Sequence, residues 1–109
     1  MTLRTVLHRW DDLPLEKVTE MVARKALSGA GPRLVQVYLK KGALVPAHAH
    51  ASAQLIYVLQ GLLRVGVDGR AVTVREGEVL EVPAGVTHQS EALDDTFVLG
   101  IGGGDKTSV

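Results

Sequence analysis

From Arg33 onward the chain alternates between apolar and polar positions in short runs, "RLVQVYLK", "QLIYVLQ", "LLRVGV", "RAVTVR", "EVLEVPA" and "TFVLGI", all rich in Val, Leu and Ile. Such a period of two predicts β-strands. The separators are turn formers: Gly42, Gly61, Asp68-Gly69, Gly77 and the Pro83–Gly85 stretch. Asp68-Gly69 between two alternating runs is the clearest hairpin signal, because a type I′ turn needs positive φ at both central residues. Earlier in the chain the pattern is weaker. Trp10 to Lys17 is a weak helical candidate, and Lys17 to Ser28 fits either a helix or a strand, strand being favoured because Val18, Thr19 and Val22 are β-branched. Ser28 to Pro32 is a loop. Strands at this spacing predict an all-β fold, a small antiparallel sandwich or barrel.

With 109 residues the chain is the size of one domain. Residues 1–32 are expected to form an N-terminal arm and first strands, 33–101 the barrel, and 102–109 a tail. Twelve acidic residues balance twelve basic ones, so no overall field draws the protein to nucleic acid or to an anionic membrane. The absence of cysteine excludes disulfides, iron–sulfur clusters and a thiol nucleophile, and leaves histidine and oxygen atoms as metal ligands. No apolar stretch has the length of a signal peptide core or a membrane span, and a cytoplasmic location is expected.

Only four histidines are present, and two of them, His48 and His50, stand two residues apart. On a strand both would leave the same face, with Gln54 at the same parity unless the chain bends. His88 follows "VPAGVT", where one strand run turns into the next, and a small barrel can bring it opposite the first two. Three imidazoles and one amide oxygen suit a divalent transition metal (Mn, Fe, Ni, Zn, Co or Cu) and leave positions open to a ligand. Because all four donors are neutral, the ion would keep its full charge and favour anionic ligands. His8 has no spaced partner and reads as a surface or edge residue; Trp10 reads as packing.

Gly42, His48, His50, Gln54 and Gly61 in "GALVPAHAHASAQLIYVLQG" resemble the first motif of the cupin superfamily, G-x5-H-x-H-x3-E-x6-G, with glutamine replacing glutamate. Gly77, Pro83, Gly85 and His88 in "GEVLEVPAGVTH" resemble the second, G-x5-P-x-G-x2-H, with Ala92 where an asparagine is usual. The resemblance spans about residues 33–101 and implies a jelly-roll barrel with a metal held by His48, His50, Gln54 and His88. The glutamine, "RWDDL" near the start, Arg24-Lys25 and Tyr57–Gly61 are similar to the pectin-degradation cupins of the KdgF type, which are implicated in converting unsaturated uronates to linear ketonised sugars. That group carries an aspartate, an aromatic residue and an arginine around the last strand; here the matching positions are approximately Gly100, Gly102 and Lys106.

The expected function is metal-dependent isomerisation or ketonisation of a small oxygenated anion, a sugar acid or keto–enol compound. A metal-dependent dioxygenase and a module that binds a metal or small ligand without turnover are the alternatives. Gln36 and Tyr38 share one face of their strand, and Ile56 and Val58 share Gln54's face; these are expected to line a substrate pocket. No general base is evident, Glu78 and Glu81 being strand-region carboxylates of the kind usually solvated. Apolar strands and an arm able to cross to a neighbour's sheet edge point to a homodimer.

Overall fold

The structure is a computed structural model, described over residues 5–103, and among these residues ten strands form two antiparallel sheets. The strands are β1 (Glu16–Thr19), β2 (Val22–Ser28), β3 (Arg33–Leu39), β4 (Leu44–His48), β5 (Gln54–Gln60), β6 (Leu62–Val67), β7 (Arg70–Arg75), β8 (Val79–Val82), β9 (His88–Ala92) and β10 (Thr96–Gly102). One sheet has the order β1-β2-β3-β10-β5-β8 and the other β4-β9-β6-β7. The chain crosses between sheets repeatedly, so residues distant in sequence meet across one interior. This is a jelly-roll sandwich.

The alternation that predicts strands also fixes which way they face. On β3, Val35, Val37 and Leu39 are buried and the residues between them are not, and on β5 Gln54, Ile56 and Val58 are buried while Leu55 and Tyr57 are less so. Cross-strand pairs align these positions: Val35 opposes Gly100, which opposes Ile56, and Val37 opposes Val98, which opposes Val58. Leu63, Val65, Val74 and Ala92 face them from the second sheet and close the core. Burying a Val or Ile side chain fully is worth about 1.5–3 kcal/mol, so this layer is the main favourable term of the fold.

Turn chemistry behaves as the sequence requires. Asp68 and Gly69 have φ of 51° and 71°, the two positive values of a type I′ hairpin between β6 and β7. Gly61, at φ 100°, has a second reason to be glycine: a Cβ there would run into the Asp95 carbonyl and the Thr96 backbone.

The N-terminal segment departs from expectation in one way. Trp10–Asp12 form only one 3-10 turn, and the chain is already extended at Glu16, so the helix expected over Trp10 to Lys17 is absent. Leu13-Pro14-Leu15 breaks the helical period, and Pro14 restricts the residue before it to extended backbone. The rest of the segment is extended, as expected for the first strands: β1 and β2 form a hairpin, and β2 lies along β3 from Val22↔Leu39 to Ser28↔Arg33.

A candidate metal centre

His48 is the last residue of β4 and His88 the first of β9, and the two are direct cross-strand partners. His50 follows in the connection to β5. The β4–β9 ladder is irregular between Val45 and His48, where Pro46 interrupts the edge strand, so simple parity counting fails there. The second motif completes the frame. Pro83–Val86 is a turn in which Val86 N–H donates to the Pro83 carbonyl at 3.3 Å, and Gly85 N–H donates to the His50 carbonyl at 2.8 Å. The loop that delivers His88 is thus fastened to the backbone of His50.

The three rings converge. Their centroids lie 4.8 Å (His48–His50), 4.4 Å (His48–His88) and 5.4 Å (His50–His88) apart, and one nitrogen from each lies within 4.8 Å of the others. Two nitrogens sharing one ion at about 2.1 Å stand roughly 3–3.5 Å apart, so a small inward movement of the rings forms a coordination site.

Hydrogen bonds choose the tautomer. Nδ1 of His48 bonds the Pro46 carbonyl at 2.8 Å and Nδ1 of His88 bonds the Val86 carbonyl at 3.1 Å. A carbonyl only accepts, so both Nδ1 atoms carry the proton and both Nε2 atoms present a lone pair. Nε2 of His88 is buried with no hydrogen-bond partner among the described residues, and Nε2 of His50 is buried as well. A metal-ligating histidine is commonly held in this way through its other nitrogen. Burial, opposed in part by the hydrogen bond to Val86, and then the neighbouring His48 and His50 rings lower the His88 pKa below its ordinary 6.5. The ring is therefore neutral at pH 7, as a ligand must be. The donor set fits a divalent transition-metal ion.

Gln54 opens β5, on the other sheet, and is 7% exposed; it pairs with Val82 on one side and Gly102 on the other. Ile56 and Val58 continue its inward face and are fully buried. Gln36 and Tyr38 do not join them. They alternate with the buried Val35, Val37 and Leu39 and so leave the opposite face of β3, where Tyr38 packs on Phe97 at 4.2 Å between ring centroids. Gln54 and Tyr38 share even parity by number, but the two strands meet the core in different registers. Val35, an odd position, stands across Gly100 from Ile56, an even one. Glu78 and Glu81 are exposed, and Glu78 accepts a hydrogen bond from Arg75 N–H at 2.7 Å. Lys106 lies outside the described residues.

One inward polar residue escapes notice in the sequence. Ser90 lies two residues beyond His88 on the same buried face of β9, opposite Val45 and Val65, and its hydroxyl has no hydrogen-bond partner among the described residues. Its shared parity with His88 is the signal that would have found it.

The matches to known proteins agree with this architecture. The family model described as the cupin domain matches residues 35–99. No curated protein matches the sequence. Among solved structures, KdgF from Halomonas sp. is 22% identical with a TM-score of 0.84, covering 94% of this chain and 96% of that one. An RmlC-like cupin from Shewanella frigidimarina is 22% identical with a TM-score of 0.83, over 97% and 96% of the two chains. Lactobacillus farciminis oxalate decarboxylase, solved as a formate complex, is 21% identical with a TM-score of 0.83; the match covers 99% of this chain but 35% of that one. At these identities the likeness speaks for the fold alone, and the family match covers more than half of the sequence: the chain belongs to the cupin family.

Proposed function

We propose that the protein is a metal-dependent cupin that acts on a small oxygenated anion by carbonyl–enol chemistry, with His48, His50, Gln54 and His88 holding the ion. The observation that carries this reading is the convergence of three imidazoles with one nitrogen of each within 4.8 Å of the others, two of them with Nδ1 tied to a backbone carbonyl and Nε2 left to donate a lone pair. When bound, a divalent ion supplies Lewis acidity, polarising a carbonyl and stabilising the negative charge that develops when an adjacent C–H bond breaks. Neutral ligands preserve that charge, which favours an anionic substrate such as a sugar acid or 2-keto acid. A cupin neighbour solved with formate, a small carboxylate, supports the same substrate class. The likeness in fold to KdgF is consistent with ketonisation.

The residues around the centre have distinct roles in this reading. His48 and His88, held by backbone carbonyls, orient the site, and the Ser90 hydroxyl, two residues beyond His88 on the same buried face of β9, offers a hydrogen bond to a ligand oxygen. No carboxylate among the described residues is buried. Proton transfer therefore falls to the substrate's own groups or to solvent.

That lack of a buried carboxylate among the described residues favours a second reading, a module that binds an anion at its metal without turnover. The two separate in D2O. Protein loaded in turn with Mn, Fe, Co, Ni, Cu or Zn is incubated with a panel of uronates and 2-keto acids and followed by NMR. Deuterium entering the position next to the carbonyl, or a ketonised product, supports the enzyme. Thermal stabilisation by a ligand with no exchange and no product supports the binder.

Assembly belongs to the same proposal. Leu15 and Met21, exposed near Tyr38 and Phe97, line an apolar groove on the outer face of the six-stranded sheet, beside the edge strand β1. A second copy covering that groove forms a homodimer whose interface leaves out the three histidines, none of which lines it.

A further inference from the structure

β10 runs between β3 and β5, and its last residue, Gly102, stands between Arg33 and Gln54. Positive φ explains Gly31, Gly42, Gly61, Gly69, Gly77 and Gly85, but Gly102 is not among them. Its backbone would accept any L-residue. What requires glycine there is space: a Cβ on Gly102 would fall on the carboxamide nitrogen, carbon and oxygen of Gln54, and its three nearest atoms are those three. The carboxamide lies directly over the bare Cα of Gly102.

The neighbouring position is fitted in a similar way. Gly103 N–H donates to Ser52 Oγ at 3.0 Å, and a Cβ on Gly103 would meet that oxygen at 2.6 Å. The end of β10 is thus shaped to the segment that enters β5, and Gln54 begins that strand.

We propose that Gly102 is a positioning residue for the metal centre, a seat that holds the Gln54 carboxamide where it can act as fourth ligand; this rests on the reading of Gln54 as a ligand. Glutamine has three rotatable side-chain bonds, and a flexible donor contributes to a site only when something confines it. The seat confines Gln54 from one side while the barrel interior confines it from the other. Of the groups a methyl at 102 would meet, the nearest is the far end of a flexible side chain. The strand can therefore stay in place while the carboxamide is displaced, so the substitution perturbs the donor and spares the fold.

The test is a double-mutant cycle read by Co2+ binding. Co2+ affinity and the visible spectrum of the bound ion are measured for the natural protein, Gly102→Ala, Gln54→Ala and the double variant, with melting of the metal-free proteins as the control for folding. Gly102→Ala is expected to weaken Co2+ binding by about 10-fold or more, the effect typical of removing a group that orients a ligand. Its spectrum should shift toward that of Gln54→Ala, and the double variant should bind no more weakly than Gln54→Ala alone. Natural affinity and spectrum in Gly102→Ala beside an impaired Gln54→Ala overturn the proposal, as do multiplicative losses in the double variant. An unimpaired Gln54→Ala overturns the ligand assignment, and the seat's metal role with it. Should Gly102→Ala not fold, recovery of folding in the double variant supports the contact, and failure to recover overturns it.

Discussion

His48 and His88 face each other directly across the β4–β9 ladder, and each ring is held by the backbone carbonyl two residues before it, Pro46 for one and Val86 for the other. A single local device, repeated in two motifs far apart in sequence, leaves Nε2 as the nitrogen that carries the lone pair on two rings whose centroids lie 4.4 Å apart. His50 joins them because its own carbonyl is bonded by Gly85 in the second motif.

Removal of one imidazole should therefore undo the centre. His88→Ala is expected to bind less than about a tenth of the metal held by the natural protein under the same loading, whatever the ion, since loss even of a group that only orients a ligand costs 10–100-fold. Elemental analysis gives the content, and circular dichroism shows that the fold persists. Unchanged metal content in this variant would sink the ligand assignment.

The metal-free protein should lose stability as the medium becomes acidic. Burial lowers the His88 pKa below 6.5 in the folded state, so the unfolded chain binds more protons when the pH falls through that value. Stability contributed by the neutral ring is complete above about pH 6.5 and declines below it. Denaturant titrations in chelator at a series of pH values measure this, and His88→Asn should flatten the decline. An equal slope in both proteins would remove His88 as its source.

Two glycines separate backbone strain from collision. At Gly69 an added Cβ meets nothing within 4 Å, so Gly69→Ala should cost only the left-handed conformation, about 1–2 kcal/mol. At Gly61 the same strain is joined by collision with the backbone of Asp95 and Thr96, and Gly61→Ala should cost several kcal/mol, or roughly twice as much or more. Equal costs would mean that β6 can shift to relieve the contact.

Light scattering should return the mass of two chains. Met21→Asp, which places a charge in the apolar groove beside β1, should return the mass of one chain with the metal content unchanged. A monomeric natural protein contradicts the dimer.

Much of this fold was legible in the sequence because its apolar strands announce themselves. β3, β5, β6, β7, β8 and β10 are all runs rich in Val, Leu or Ile, and β3 and β6 bury a Val- and Leu-rich face, so these runs can be read without a structure. The strands that carry the histidines are the ones hydrophobicity hides. β9 turns His88, Ser90 and Ala92 inward, polar or small residues that give no apolar period, and β4 contains Pro46. His48, His50 and His88 were found through motif spacing instead. Gln36 and Tyr38 were misplaced because parity within one strand says nothing about which face a neighbouring strand presents, and that depends on register across β10. The Gly102 seat was invisible for a related reason: a glycine near a chain end reads as a flexible tail until its partner across the ladder is known.

The measurement that bears most directly on the central claim is the metal content of untagged protein, purified without added metals or a metal-affinity column and determined by elemental mass spectrometry. Close to one transition-metal ion per chain is expected, reduced by substitution of His48, His50 or His88. Metal-free protein that takes up none of Mn, Fe, Co, Ni, Cu or Zn when each is offered would contradict it, and would leave the three histidines as packing or as direct contacts to an organic ligand.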